Sequence, residues 1–264
     1  MTTRLLHVSD LHVGAHENFD VAAALTRFVE RIEPQLVVAS GDLSHRGRAD
    51  QLKQAAGFLR TLGPPVLAVP GNHDIPHTPG RFVRPWVEFE RIWETTEPTI
   101  SLPGLHVVGI NSARPFRHQG GALGRERLER AVARLGEAEP DALRVAVLHH
   151  HLVSAPWRGA HKRPLARRKH VLRTLAEAGT DLILGGHIHQ ATVSERHEFE
   201  AVDPEAGTTV LVTAPGFGNP RPRRIGEARG LHVYEADSEA IIVRTYGWSD
   251  GDWTPAAERR FRRR

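Results

Sequence analysis

Five short apolar runs in this chain end in the same way. The runs Leu5–Val8, Gln35–Ser40, Val66–Asn72, Arg144–His151 and Asp181–His187 each carry Asp, His or Asn at or just past their C-terminal ends. The residues delivered are Asp10 and His12, then Asp42, then Asn72 with His73 and Asp74, then His149, His150 and His151, then His187 and His189. Apolar runs of this length bounded by glycine or proline read as buried strands. Stretches of helical period lie among them: Phe19–Ile32, Ala49–Leu62, Arg81–Glu94, Arg125–Glu137 and Leu165–Ala178, with a further strand at Leu105–Asn111. Strands alternating with helices give an α/β sheet, in which the C-terminal strand ends meet in one crevice. Residues far apart in sequence are thereby brought together.

Past residue 190 the helical pattern stops. The segments 191–200, 208–216, 231–237 and 240–248 alternate apolar and polar residues between turn signals, as strands do. A sheet flanked by helices with a second sheet packed against it accommodates this order. The loops Arg114–Gly124 and Ser154–Pro164 are long for connectors and are expected to rim a pocket.

Composition narrows the chemistry. The 264 residues include no cysteine, which excludes disulfides and thiolate metal sites, so any metal must rest on His, Asp, Asn or Glu. Hydrophobic content of 40% and charged content of 25% are those of a globular protein. No window is apolar enough to span a bilayer, and Asp10 comes too early for a signal-peptide core, so a cytoplasmic location is expected. Residues 1–255 are expected to form one domain and 256–264 a flexible basic tail, because much of the +4 net charge sits in Glu258–Arg264.

A His, Asp and Asn mixture at converging strand ends suits two divalent cations about 3.5–4 Å apart, which clamp a phosphoryl group and acidify a bridging water. Mn, Fe or Zn fit such donors better than Ca. Each piece has a plain alternative, since Asp42 and Asp74 beside glycines also read as turn residues. Five strand ends delivering the same residue types together are harder to obtain by accident.

The blocks "DLH" at 10–12, "GD" at 41–42, "GNHD" at 71–74, "LHH" at 148–150 and "GHIH" at 186–189 resemble, in order, those of the calcineurin-like metallophosphoesterases. That resemblance implies a four-layer αββα sandwich of two mixed sheets, with a dinuclear metal site at the strand C-terminal ends. It implies that Asp10, His12 and His189 hold one metal, that Asn72, His187 and a histidine of 149–151 hold the other, and that Asp42 bridges. It also implies that His73 protonates the leaving group and that Asp74 orients His73. For the histidine run, anchoring on the strand exit selects His149, whereas letting Leu152 stand for the family's proline selects His150. His151 is read as a pocket residue and Asn111 as lying beside the ligands.

The short loop after Asp10 and the block from Gly120 resemble the bacterial cyclic-nucleotide phosphodiesterase branch. The implied activity is hydrolysis of phosphodiester or phosphomonoester bonds by a metal-bridging hydroxide. The implied partner is a phosphate-ester small molecule, with nucleotides among the candidates. The alternatives are a nuclease drawing nucleic acid to the basic tail and, below it, a non-catalytic scaffold. Candidate substrate contacts are His16, Arg114, His118, Trp157, Arg158 and His161.

Overall fold

A computed structural model describes residues 2–15, 19–117, 119–153, 162–198, 209–218 and 227–263. The strands are β1 (Thr3–Val8), β2 (Leu36–Ala39), β3 (Val66–Ala68), β4 (Thr99–Leu102), β5 (Leu105–Gly109), β6 (Leu143–Val147), β7 (Leu182–Gly185), β8 (Thr192–Glu195), β9 (Val210–Thr213), β10 (Gly230–Ala236), β11 (Ala240–Ser249) and β12 (Asp252–Arg262). The helices are α1 (Phe19–Ile32), α2 (Ala49–Arg60), α3 (Val87–Trp93), α4 (Arg125–Leu135) and α5 (Arg168–Glu177). One mixed sheet has the order β12-β11-β10-β1-β2-β3 and the other β4-β5-β6-β7-β9-β8.

Strand alternation builds the layers. Successive side chains on a strand face opposite ways, so Leu5 enters the core between the sheets while Leu6 faces the helices. The inter-sheet core joins Leu5, Leu36, Val38 and Tyr234 of the first sheet to Val107, Val145 and Leu184 of the second. Outside the first sheet, Phe28 of α1, Leu52 and Leu59 of α2 and Phe89 of α3 close a second cluster. Outside the other, Leu128 of α4 and Leu172 and Leu175 of α5 close a third. The result is the expected αββα sandwich. β2 and β7 are buried on both faces, which is why they read as continuous apolar runs.

Three expectations change. The helix expected over Arg81–Glu94 is a single 3-10 turn at Pro79–Phe82 followed by α3, because Pro85 lacks an N–H and excludes helix from the residue before it. β4, absent from the sequence reading, is the outer strand of a hairpin closed by Pro103 and Gly104, the latter at φ 74°. Of residues 256–264, expected as a free tail, 256–262 belong to β12, which pairs antiparallel with β11 in the register Ile241↔Phe261 and Arg244↔Glu258.

Side-chain partners explain that last difference. Phe261 is only 3% exposed and joins the inter-sheet core. Arg259 reaches Glu198 at 2.8 Å, and Arg263 donates to the carbonyls of Asp237 and Asp141 at 2.9 and 2.7 Å. Arg260 and Arg262 lie along a sheet edge, where charge discourages pairing with a second sheet. Phe261→Ala should therefore destabilise the protein by about 3 kcal/mol, measured by urea denaturation. A detached tail would show no change.

Candidate metal centre

The five loops expected to converge do so at one end of the two sheets. Asp10 N–H donates to the Gly41 carbonyl and His12 N–H to the Asp42 carbonyl, both at 2.9 Å, which joins the loops after β1 and β2. His73 N–H donates to Asp42 Oδ1 at 2.8 Å and brings in the loop after β3. From the other sheet, Gly186 N–H donates to the His149 carbonyl and His187 N–H to Asp10 Oδ2, each at 2.9 Å. The carboxylate of Asp10 thus receives a backbone donor from the opposite sheet.

The backbone is bent hard to achieve this. Asp10, His12, Asp42, His187 and His189 all adopt left-handed φ, between 48° and 76°. Such values are uncommon for residues other than glycine, and they gather at functional sites. Two glycines permit the close approach. A Cβ on Gly71 would lie 2.1 Å from Asp42 Oδ1, and one on Gly186 would lie 1.8 Å from Ser9 Oγ.

Among the described residues three groups of donors result, one of them His12, His45 and His73, and the other two contain the carboxylates. Asp10, His12 and His189 form one, with His189 Nε2 at 2.9 Å and His12 Nε2 at 3.8 Å from Asp10 Oδ1. Asp42, His149 and His187 form the other, with His149 Nε2 at 3.3 Å from Asp42 Oδ2 and His187 Nδ1 at 3.2 Å from His149 Nε2. His12 Nε2 lies 3.7 Å from the same Asp42 oxygen, so that atom faces both groups. Asn72 is buried in its loop, and its Oδ1 has no hydrogen-bond partner.

His149 and His150 are separated by this geometry. His149 Nδ1 donates to the Ser40 carbonyl at 2.8 Å, which leaves Nε2 pointing at Asp42. The His150 ring turns away, with Nδ1 2.9 Å from Ser112 Oγ. His151 is buried and stacked on His187, their ring centroids 5.8 Å apart. Asn111 caps its own turn by accepting from Ala113 N–H at 3.0 Å.

The expected role of Asp74 changes. Its carboxylate does not meet the His73 ring. It accepts from the backbone N–H groups of Gly71 and Ser44 at 2.8 Å, from that of Leu43 at 3.2 Å, and from Ser44 Oγ at 2.9 Å. It thus locks the loop after β2 to the loop after β3. Burial and the neighbouring Asp42 charge push its pKa up to about 6 against those hydrogen bonds. The His73 ring is oriented instead by the His45 carbonyl, which accepts from Nδ1 at 2.8 Å.

Other contacts carried no sequence signal. Ser40, whose carbonyl holds His149, is itself held through Oγ by His7 Nε2 at 2.8 Å, and His7 Nδ1 meets Tyr234 OH at 2.8 Å. Lys162 Nζ donates to the His187 carbonyl, and Glu227 Oε2 lies 3.7 Å from His189 Nδ1. Arg114 uses its Nε on the Ala122 carbonyl at 3.0 Å, and burial lowers its basicity. The remaining substrate candidates, His16, His118, Trp157, Arg158 and His161, lie outside the described residues.

Comparison with known proteins agrees with this arrangement. The model of the calcineurin-like phosphoesterase family matches residues 3–191. The chain belongs to that family. Its class of activity is metal-dependent phosphoric ester hydrolysis. A protein of Synechococcus named "Probable cyclic nucleotide phosphodiesterase" is 27% identical over 212 residues, which is 74% of this chain and 77% of that protein. The glycerophosphodiester phosphodiesterase GpdQ of Enterobacter lignolyticus is 35% identical over 82 residues, 26% of this chain and 29% of that one. In fold, the purple acid phosphatase of yellow lupin seeds superposes with a TM-score of 0.74 at 15% identity, covering 97% of this chain and 53% of that protein.

The donors of this phosphoesterase fit divalent cations. Asp10 Oδ1 and Asp42 Oδ2 are buried and meet only histidine nitrogens, at 2.9 and 3.3 Å, and the buried Asn72 Oδ1 has no hydrogen-bond partner. Buried charge of this kind is costly unless positive charge shares the site. The imidazoles supply neutral nitrogens. Burial holds His12 down to about 3, and it holds His187 well below its ordinary value, with Lys162 adding to the effect.

His149 differs. Burial would lower it too, but the charge and hydrogen bond of Asp42 outweigh burial and raise it to about 9. A proton therefore stands there when no cation does. Metal uptake at pH 7 should displace about one proton per chain from His149. The check is whether the calorimetric binding enthalpy depends on the ionisation enthalpy of the buffer. Uptake without proton release would remove His149 from the ligand set.

Proposed function

We propose that this phosphoesterase is a dinuclear-metal phosphodiesterase, with cyclic nucleotides among its substrates. The observation that carries the reading is the single Asp42 oxygen faced by both donor groups, at 3.7 Å from His12 and 3.3 Å from His149. Asp10, His12 and His189 would hold one divalent cation, Asn72, His149 and His187 the other, and Asp42 both. Mn, Fe and Zn all suit this oxygen and nitrogen set. The two curated relatives described above are both named phosphodiesterases, which favours a diester over a monoester.

When bound, such a pair of cations draws charge from the phosphoryl oxygens and makes water nucleophilic near neutral pH. The chain's own groups do the rest. Asp10 and Asp42 hold opposite sides of the centre, each fixed by a backbone N–H. His73 lies beside it, its ring edge-on to His12 with centroids 4.7 Å apart. Because a carbonyl only accepts, Nδ1 of His73 carries the hydrogen shared with His45, so acid catalysis uses the cationic imidazolium, which gives up its Nε2 proton and is left as neutral imidazole. That proton goes to the departing alkoxide, which would otherwise leave as a strong base.

The nuclease alternative rested on a free basic tail. Arg259 and Arg263 are engaged within the fold, which favours the small-molecule diester over it. The scaffold alternative expects lost ligands, whereas every block is present.

Asp42→Asn and His187→Ala should each lower hydrolysis of bis-p-nitrophenyl phosphate by roughly a hundredfold or more while circular dichroism stays unchanged. Parental activity in either variant would end the two-metal reading. His73→Ala should lose about a hundredfold or more on a diester with an alkyl leaving group and far less on the p-nitrophenyl diester, whose leaving group needs no proton. Equal losses on both substrates would remove His73 from the proton transfer.

A further inference from the structure

The large apolar side chains that stand exposed among the described residues are Phe82, Val83 and Phe116, at 55%, 79% and 78%. They are neighbours. Phe82 and Phe116, from different loops, stack with ring centroids 5.2 Å apart and planes 29° from parallel. Single exposed apolar residues are ordinary, but a contiguous group marks a binding surface.

The surroundings are basic. Segments 79–86 and 112–119 carry Arg81, Arg84, Arg114 and Arg117 and no acidic residue. Arg81 is buried and joins the two loops, donating from Nε to the Pro115 carbonyl at 2.9 Å with its guanidinium 5.6 Å from the Phe82 ring centre. Arg84 and Arg117 are exposed beside the stacked pair.

Both loops are tied to the metal centre. The Gln119 carbonyl lies 3.1 Å from His187 Nε2, and Phe116 is three residues away, a span of at most about 11 Å. On the other loop, the His77 ring lies 6.1 Å from that of His73, and Phe82 follows five residues later, within about 18 Å. The aromatic pair therefore stands on two loops that are each anchored beside the phosphoryl site.

We propose that Phe82 and Phe116 form a stacking platform for the base of a nucleotide substrate, with Arg84 and Arg117 drawing in its negative charge. The inference rests on the phosphodiesterase reading and names the part of the substrate that the metal centre does not. A nucleotide carries an aromatic ring one sugar away from its phosphorus, which matches a flat apolar face one loop away from a phosphoryl site. Stacking of a base on an aromatic side chain changes affinity by roughly five- to a hundredfold.

The test uses the metal-loaded full chain hydrolysing bis-p-nitrophenyl phosphate, with AMP and ribose 5-phosphate as competing inhibitors. The two share phosphate and sugar and differ in the base. AMP should inhibit the parent about tenfold more tightly than ribose 5-phosphate. In the double variant Phe82→Ala, Phe116→Ala that preference should fall to about one, with ribose 5-phosphate inhibition kept within about twofold. Phe116→Tyr should retain the preference. Equal inhibition of the parent by the two compounds, or an undiminished preference in the double variant, overturns the proposal. So does binding of the parent, but not of the double variant, to phosphatidylglycerol vesicles, because the pair would then serve a membrane surface. Should the parent not hydrolyse the diester at all, the catalytic reading falls instead, and calorimetric titration with AMP against ribose 5-phosphate decides the platform on its own.

Discussion

Two fully buried carboxylates, each with an oxygen facing a histidine nitrogen, set the terms for this molecule. Asp10 and Asp42 are fully buried, and burial alone would drive them neutral. Their neighbours do the opposite. His189 holds Asp10 well below the usual carboxylate range, and His149 and His73 do the same for Asp42. Charge is therefore kept where water is absent, which a fold tolerates only with a positive partner close by. The left-handed turns at Asp10 and Asp42, and the space left by Gly71 and Gly186, keep those carboxylates in place. Strain gathered at one edge is tolerable because the layers behind it are packed by regular alternation.

That alternation also explains how far the centre was legible in the sequence. Residue types after each apolar run identified the donors, since a strand's last residue fixes where its loop begins. Continuing the alternation past β6 sends His149 and His150 to different sides. Val145 and Val147 face the inter-sheet core, Ala146 and Leu148 face the helices, and His149 falls inward while His150 falls toward Ser112. Asp74 was misread for a different reason. Its position beside His73 was visible, but the direction of a carboxylate depends on which backbone donors tertiary structure brings near, and those belong to Gly71, Leu43 and Ser44.

The fold's edges were less legible than its centre. β4 is half exposed and carries little apolar signal, although Pro103 and Gly104 mark its turn. β12 was hidden by charge, because one buried phenylalanine among arginines reads as a tail until Glu198 and the carbonyls of Asp141 and Asp237 are in place to receive them. A hydrophobic pattern cannot report a strand whose partners are mostly ionic and backbone groups. Long-range contacts such as Tyr234 to His7 to Ser40, which support His149 from beneath, leave no local trace either.

The same reasoning separates chemistry from selectivity. The candidate metal donors sit just past strand ends whose positions are fixed by the hydrogen-bond ladders of two sheets. The rim is built from loops tied down at few points, Arg81 to Pro115 and Gln119 to His187 among them. Loops held by single bonds can change residues without disturbing the core. The match over residues 3–191 accordingly follows the strand-end blocks and fixes the reaction class. What the enzyme selects rests on residues such as Phe82 and Phe116, which the core does not need and which leave apolar surface in water unless something covers it.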